Sequence, residues 1–516
     1  MHYLPAVLFT LLCSVLGYAN IWLQIPLATL VLPLVLIWLA TTASSSRKAF
    51  LLGWLFAGVS YSGVLYWVTF PIMQYGGLPL IAAAPCAIAL GATLGLCYAL
   101  YALFIHRTYL KNKGMPFYIA SGILWTGLEY FTNFILTGFP WGTLTAAFVD
   151  LPYLAQGASL FGAYGLSGIL VFITATLLHP FFVEKRPTLL AASVALSTLA
   201  LLLGYGYMQC KRTDIGSEKN VRVAIAQPNV DQSKKWDPIF KISTIDTYSN
   251  LSKQAVKEHP ETPPEMIVWP ETGLPFYMQE TNQYTAEVRL LARGLKTAII
   301  AGSPGFTLFA DRTDIFNRAS FINSDGKITS WYDKEHLVPF GEFLPLERYL
   351  PFKESIPYDL FFQGVGNFVA GKSQLLMKSP NLALGMLICY EAIFPELAQK
   401  RVEQGADVLI NISNDAWFDG TSGPLQHFAL ARLRSIEQRR WLVRATNTGV
   451  SAFIDPVGRI NTVLPQYIAT QTSALIKPVT ERTFFSLNYT AIQNIVIVLS
   501  LLIIAAGYLP TRRKRH

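Results

Sequence analysis

The sequence predicts a polytopic α-helical membrane domain of eight transmembrane helices joined to an α/β layered domain, and three observations carry that fold class. The first is composition: 52% of the 516 residues are apolar and only 14% are charged, so much of the apolar surface has to face lipid rather than water. The second is the uneven spread of charge. Only three of the 32 acidic residues (Glu129, Asp150 and Glu184) and seven of the 41 basic ones precede residue 206. The third is a change of hydrophobic period at Val221, where long apolar runs give way to short strands alternating with helical stretches. Together they exclude a disordered chain, a disulfide scaffold and a wholly soluble enzyme.

A helix needs about 20 apolar residues to cross the hydrocarbon core. Candidates lie at 3–19, 21–42, 49–70, 78–105, 116–136, 163–183, 188–207 and 490–509. Lys and Arg gather on the cytoplasmic side of short loops, and here they alternate. Arg47 and Lys48 follow the second span, Arg107, Lys111 and Lys113 the fourth, Lys185 and Arg186 the sixth, and Arg512, Arg513, Lys514 and Arg515 the eighth. The loops after spans one, three and five have none. This predicts a seven-helix domain over 1–207, an outward-facing block over 208–489, and a final helix with a basic cytoplasmic tail over 490–516. Both termini are then cytoplasmic. Span one is expected to be retained, because Met1-His2-Tyr3-Leu4-Pro5 is not the basic start of a signal peptide, although Gly17-Tyr18-Ala19 resembles a cleavage site. The basic tail reads as a topology signal, not a nucleic-acid site. Glu129 lies deep in the fifth span, where an ionisable group is either paired, lining a wet cavity, or hydrogen-bonded in packing. Trp141, in Gly138-Phe139-Pro140-Trp141-Gly142, is expected to anchor at the outer interface.

In the outer block, strands are expected at 221–227, 266–269, 297–301, 316–323, 382–388, 407–410, 441–446 and 450–454, with helices near 239–258, 284–295, 392–403 and 424–440. His336 and His427 are too isolated to argue for zinc, and no redox, nucleotide or other cofactor is indicated. Of five cysteines, Cys13, Cys86 and Cys97 lie in apolar spans and Cys210 at the mouth of span seven. Beyond Cys210, Cys389 is the only one in the outer block. It is an inert buried thiol, a disulfide partner of Cys210, or a nucleophile.

Its neighbours favour the last. Cys389 ends the apolar run from Ala383, at the carboxyl end of a strand, where open α/β sheets bind ligands. Glu271 follows Met266-Ile267-Val268-Trp269-Pro270 and Lys334 follows Ser330-Trp331-Tyr332-Asp333, each again at a strand end. A thiol nucleophile needs a base to take its proton and a cation to favour thiolate and oxyanion. Glu, Lys and Cys supply those parts.

The runs Trp269-Pro270-Glu271, Tyr332-Asp333-Lys334-Glu335-His336-Leu337-Val338-Pro339-Phe340-Gly341-Glu342 and Ile388-Cys389-Tyr390-Glu391 resemble the nitrilase family, which implies a Glu-Lys-Cys triad on an αββα sandwich. With eight spans around it, the chain is similar to the apolipoprotein N-acyltransferases of the bacterial cytoplasmic membrane. Supporting runs are Ala226-Gln227-Pro228-Asn229, Ser413-Asn414-Asp415-Ala416-Trp417-Phe418 and Arg444-Ala445-Thr446-Asn447-Thr448-Gly449. One departure is Tyr130, which stands where the family carries Arg.

The resemblance implies a two-step acyl transfer. The donor is a phospholipid, phosphatidylethanolamine by expectation, and the acceptor is the amine of a diacylglyceryl-cysteine on an apolipoprotein. Glu271 is expected as base, Lys334 as thiolate and oxyanion stabiliser, and the backbone N–H near Tyr390 as second oxyanion donor. Glu342 corresponds to a second carboxylate near the nucleophile, with a surface acid as the alternative. Glu391 either takes part in chemistry or holds the loop after Cys389. Trp236 corresponds to a functional Trp of the family, against a plain surface Trp. A lipid needs a route to the thiol, and the aromatic stretch 337–368, with Phe340, Phe343, Phe361 and Phe362, is expected to form a lipid-facing lid. The protein is expected to act as a monomer on the membrane, without nucleic acid. The competing classes are a membrane-anchored amidase with water as acceptor and a transporter or scaffold carrying an inactive nitrilase-like domain.

Overall fold

From Val221 onward, successive strand residues point to opposite faces, and in the central strands both faces are buried. Among the described residues this gives twelve strands: β1 (Val221–Gln227), β2 (Met266–Val268), β3 (Ala298–Leu308), β4 (Thr313–Ile322), β5 (Ile328–Asp333), β6 (Met377–Lys378), β7 (Ala383–Ile388), β8 (Val408–Ser413), β9 (Trp441–Thr446), β10 (Ala452–Ile454), β11 (Ile460–Val463) and β12 (Thr470–Ile476). This is a computed structural model, which describes residues 3–183, 188–212, 215–343, 368–372, 376–418 and 420–509. The strands form two six-stranded sheets, ordered β12-β1-β2-β3-β4-β5 and β11-β10-β9-β8-β7-β6. Each has three parallel strands at its centre, β1-β2-β3 and β7-β8-β9, with antiparallel strands outside them.

The alternation assigns the layers. Val223, Ile225, Val268 and Ile300 meet Met386, Ile388, Ile410 and Val443 in one core between the sheets. The intervening residues Ala224, Ile267 and Ile299 pack under Ile245, Tyr248 and Leu251 of helix Lys241–Lys257 and Val288 of helix Gln283–Leu295. Leu387, Leu409 and Leu442 do the same under Ala398 of helix Pro395–Glu403 and Phe428 and Ala431 of helix Gly423–Gln438. The result is an α/β layered domain, as the strand and helix pattern predicts, and its layers are the helix-sheet-sheet-helix sandwich that the nitrilase resemblance implies.

Contacts divide the chain into two units, one of Met1–Thr69, Leu78–Arg212 and Thr483–His516, the other of Phe70–Gly77 and Thr213–Arg482. The segment Phe70–Gly77, read from sequence as part of a span and its loop, thus belongs to the sandwich. Tyr75 donates its hydroxyl to the Ala416 carbonyl (3.0 Å) and packs edge-on against Trp417.

In the other unit, four helices among the described residues are long and apolar enough to cross a bilayer: Leu80–Tyr109, Ala158–Phe182, Leu189–Lys211 and Tyr489–Tyr508. Ser46–Val64 with Tyr66–Gln74 makes a fifth if a 56° bend is allowed. Length and composition therefore support four or five spans where eight are expected. The shortfall has local causes. The first helix, Leu4–Gly17, has 14 residues, which rise about 21 Å against a core of about 30 Å. The second region opens as a 3-10 turn, Pro26–Leu30, before Val31–Thr42, because Pro26 has no N–H to give an α-helix beyond its first turn.

Glu129 is buried, and its Oε1 accepts hydrogen bonds from Trp125 Nε1 (3.0 Å) and the Leu144 N–H (3.0 Å). It is thus hydrogen-bonded, tying its helix to the 3-10 turn Leu144–Phe148. Trp141 is not the expected interface anchor. It is buried, 4.7 Å from the Trp67 ring and stacked on Phe139, so its indole faces protein rather than headgroups.

Candidate active site

Three buried strand ends converge. After β2, Trp269 stacks on Tyr248 (4.5 Å) and donates its Nε1–H to Ser252 (3.1 Å), which fixes the turn carrying Glu271. Gly302 on β3 lies against that turn. A Cβ there would fall 2.4 Å from the Pro270 carbonyl and 2.7 Å from Glu271 Cα, so only glycine lets the strand approach. After β5, the Lys334 N–H is held by the Asn317 carbonyl (2.9 Å). After β7, Cys389 opens a 3-10 turn, Cys389–Ile393, with φ +51°. A side-chain-bearing residue adopts that left-handed conformation only where its surroundings impose it.

Lys334 is 1% exposed, and its Nζ lies 3.3 Å from Glu271 Oε1, 3.0 Å from Glu342 Oε1 and 2.9 Å from Glu342 Oε2. Burial alone would lower its pKa, but the charges of Glu342 and Glu271 outweigh burial and hold it well above the usual lysine range. It is therefore an ammonium. Asn317 Nδ2 donates to both carboxylates, at 2.7 Å to Glu271 and 2.8 Å to Glu342. The Asn414 N–H donates to Glu271 Oε2 (2.9 Å), and the Val338 N–H to Glu342 Oε2 (2.8 Å). Glu342 is a buried partner of Lys334, not a surface acid.

Burial pushes the Cys389 thiol up, the Glu271 charge pushes it further, and Lys334 draws it back only in part. The thiol is protonated at rest, so it needs a base at the moment of attack. Cys389 carries a free thiol, so the disulfide reading of Cys389 fails.

Glu391 is fully buried and holds loops together. Its Oε1 accepts from Tyr332 Oη (2.8 Å) and the N–H groups of Glu335 (2.7 Å) and His336 (3.1 Å), and its Oε2 from the Ile388 N–H (2.6 Å). It thereby pins the segment after Lys334 to the residue before Cys389. Tyr390 is buried beside Phe394. Trp236 is 40% exposed, whereas its neighbour Lys235 is 2% exposed and donates to Thr272 Oγ1 (2.8 Å). Burial, opposed by the Glu271 charge, lowers the Lys235 pKa to about 8. Sequence reasoning missed Lys235 because a Lys-Lys-Trp run looks like a solvated face, and it missed Asn317 because no motif surrounds it. Phe340 is exposed with φ +61°, in a tight turn whose N–H meets the Phe343 carbonyl (2.8 Å). Phe343 is half-buried. Phe361 and Phe362 lie outside the described residues.

The Cys389 thiol, an Asp415 oxygen and a His427 nitrogen lie within 4.8 Å of one another, a donor set suited to a metal. Arg444 Nη2, however, is 2.7 Å from Asp415 Oδ2 and 3.1 Å from His427 Nδ1. The guanidinium already supplies the positive charge there.

A strained cysteine among a buried lysine and carboxylates on a four-layer sandwich defines the carbon-nitrogen hydrolase class, and residues 222–480 match the family model described as Carbon-nitrogen hydrolase. Residues 11–176 match the model of the apolipoprotein N-acyltransferase N-terminal domain. The apolipoprotein N-acyltransferase of Geobacter metallireducens is 36% identical over 83% of this chain and 81% of its own, and that of Haemophilus ducreyi 32% identical over 87% and 86%. The chain belongs to the apolipoprotein N-acyltransferase family. It is a membrane-bound acyltransferase, and the amidase alternative is not favoured. Among solved structures, Nit3 of Saccharomyces cerevisiae, of the nitrilase superfamily, is 20% identical with a TM-score of 0.39, covering 59% of this chain and 100% of that one.

Proposed function

We propose that this protein, acting as a monomer, moves an acyl chain from the sn-1 position of a phospholipid, phosphatidylethanolamine by preference, to the N-terminal amine of a diacylglyceryl-cysteine on an apolipoprotein. The observation that carries this reading is the Lys334 ammonium buried between two carboxylates at the strained Cys389. Glu271 takes the thiol proton as sulfur attacks the ester carbonyl, and Lys334 with the Tyr390 N–H stabilises the oxyanion. Collapse breaks the ester C–O bond. The lysophospholipid alkoxide leaves with the proton from Glu271, and the acyl group stays as a thioester on Cys389. The acceptor amine then attacks the thioester, loses a proton to Glu271, and the restored thiolate is reprotonated. Glu342 positions Lys334, and Glu391 holds the loop that carries Cys389.

A transferase has to keep water from its thioester until the second substrate arrives, and the burial of Glu271 and Lys334 suits that need. Intact mass spectrometry of protein incubated with phospholipid, without acceptor, is expected to show one fatty acyl group on Cys389. A diacylglyceryl peptide with a free amine should discharge it, and one with a blocked amine should not. Steady release of free fatty acid with no adduct would sink the transferase reading.

The arrangement in the membrane is part of the same proposal: eight spans in the bacterial cytoplasmic membrane, seven over 1–207 and one over 490–509, with 208–489 on the outer face and both termini cytoplasmic. It rests on the alternation of basic loops. A reporter fused after Arg515 is expected inside and one inserted at Asp214 outside. Finding both on one side would remove the eight-span arrangement.

A further inference from the structure

The left-handed conformation of Cys389 has to be imposed from both sides. On the amino side, Glu391 holds the Ile388 N–H. On the carboxyl side, the Cys389 carbonyl receives His427 Nε2 at 3.0 Å. His427 is 1% exposed, on helix Gly423–Gln438. Its Nδ1 lies 3.0 Å from Asp415 Oδ1 and 3.1 Å from Arg444 Nη2. Arg444 also donates to Asp415 Oδ2 (2.7 Å) and to Asn411, and Asp415 Oδ1 accepts from Ser413 Oγ (2.7 Å). Every member of this cluster is buried to 2% exposure or less.

A proton inventory fixes the histidine. A carbonyl only accepts, so Nε2 carries the proton. Burial and the Arg444 charge push the imidazolium down against the pull of Asp415, and Nδ1 lies within hydrogen-bond distance of both Asp415 Oδ1 and Arg444 Nη2. Burial would raise the Asp415 carboxyl, but the Arg444 charge beside it holds it well below the usual range. The ionised carboxylate keeps the guanidinium in place.

The consequence lies across one peptide bond. In a planar trans peptide the C=O and the following N–H point in opposite directions. A carbonyl drawn to His427 therefore fixes where the Tyr390 N–H points. We propose that His427, backed by Asp415 and Arg444, is a positioning residue that orients the Cys389–Tyr390 peptide so that its N–H serves as oxyanion donor. This rests on the acyl-transfer reading above, in which that N–H faces the developing charge.

The test compares two reactions of the full-length protein in phospholipid nanodiscs. Acylation by phospholipid passes through an oxyanion. Alkylation of Cys389 by iodoacetamide does not, because it displaces iodide at a saturated carbon. His427→Asn places its amide where Nδ1 was, too short to reach the carbonyl, whereas His427→Gln places an N–H where Nε2 was. His427→Asn is expected to slow acylation about 10²–10³-fold, with the half-saturating phospholipid concentration and the alkylation rate unchanged. His427→Gln is expected to acylate within about tenfold of wild type, as a rescue of the same donor. Parallel loss of alkylation and acylation, or acylation unaffected in His427→Asn, would overturn the assignment. If His427→Asn is not recovered folded, His427→Gln decides alone: normal alkylation with a loss of acylation beyond about 10²-fold would also overturn it. A wild-type protein that alkylates but never acylates would remove the acyl-transfer reading itself, which is a different failure.

Discussion

Glu271→Gln is expected to lower the rate of Cys389 acylation by about 10²–10⁴-fold, the range for loss of a general base. The size of the effect follows from the thiol. Burial holds it up, protonated at ordinary pH, so sulfur has no thiolate to offer unless a group in contact takes the proton as attack proceeds. The carboxylate is also a structural acceptor. Its Oε1 receives Asn317 and Lys334, and its Oε2 receives the Asn414 N–H. A Gln amide would turn one of those positions into a donor facing donors, so the variant has to be shown folded, for example by retained alkylation of Cys389. The pH dependence gives a second measurement with a definite sign. Without a base, the reaction runs only through pre-formed thiolate, and its rate should climb about tenfold per unit as pH rises toward the raised thiol pKa. The wild-type enzyme, with its base in place, should show no such climb over that range. A Glu271→Gln enzyme with wild-type rate and profile would assign the proton to another group.

The parts of the site set at strand ends were legible in the sequence, because a strand end is marked twice, by the close of a buried apolar run and by a polar residue just beyond it. Glu271, Lys334 and Cys389 all stand that way, and Glu342 and Glu391 lie within the runs that resemble the family. What stayed hidden depends on contacts between distant segments. Asn317 bridges the two carboxylates from within β4, where its neighbours Phe316 and Arg318 give no sign of it. Lys235 is buried by the fold of its own turn against Thr272, with an exposed lysine on one side and a half-exposed Trp236 on the other. His427 looked isolated because the residues it serves, Cys389 and Asp415, are brought to it only by the parallel order of β7 and β8 beneath its helix.

The fold shows the same division. The central strands and four helices follow from period, and their ends fall within a few residues of expectation except at β3, which runs on to Leu308. The strands β6, β11 and β12 escaped notice, and β5 was marked only by its end before Lys334. The burial of β11 and β12 is patchy, and β12 pairs with β1 from more than two hundred residues away, from Val221 with Ile476 to Gln227 with Thr470. In the membrane part, apolar length was legible and interruptions were not. Pro26 and the bend after Val64 divide runs that composition alone reads as single spans.

Lys334 is the position where charge and shape can be separated, and the two substitutions should fail for different reasons. Lys334→Met removes the positive charge that lies against both Glu271 and Glu342. Both carboxylates stay buried, with Asn317 as their shared donor. Deleting one partner of a buried ionic cluster costs about 3–5 kcal/mol, and two carboxylates forced together share a proton rather than both ionise. Glu271 then loses its basicity just as the oxyanion loses a donor worth about 10²–10³ in rate. Acylation by Lys334→Met should therefore be undetectable and the protein less stable to heat. Lys334→Arg keeps the charge. The ammonium now reaches Glu271 at 3.3 Å and both oxygens of Glu342 at 2.9–3.0 Å from a single nitrogen. A planar guanidinium has no such point donor and is larger than the space that a residue 1% exposed leaves it. Stability should largely survive, while acylation falls at least about tenfold, or about 1.4 kcal/mol of barrier. The reading that Lys334 acts as a placed donor, and not only as a neutralising charge, requires this split. Wild-type acylation in Lys334→Arg would show that charge alone suffices, and measurable acylation in Lys334→Met would show that even the charge is dispensable.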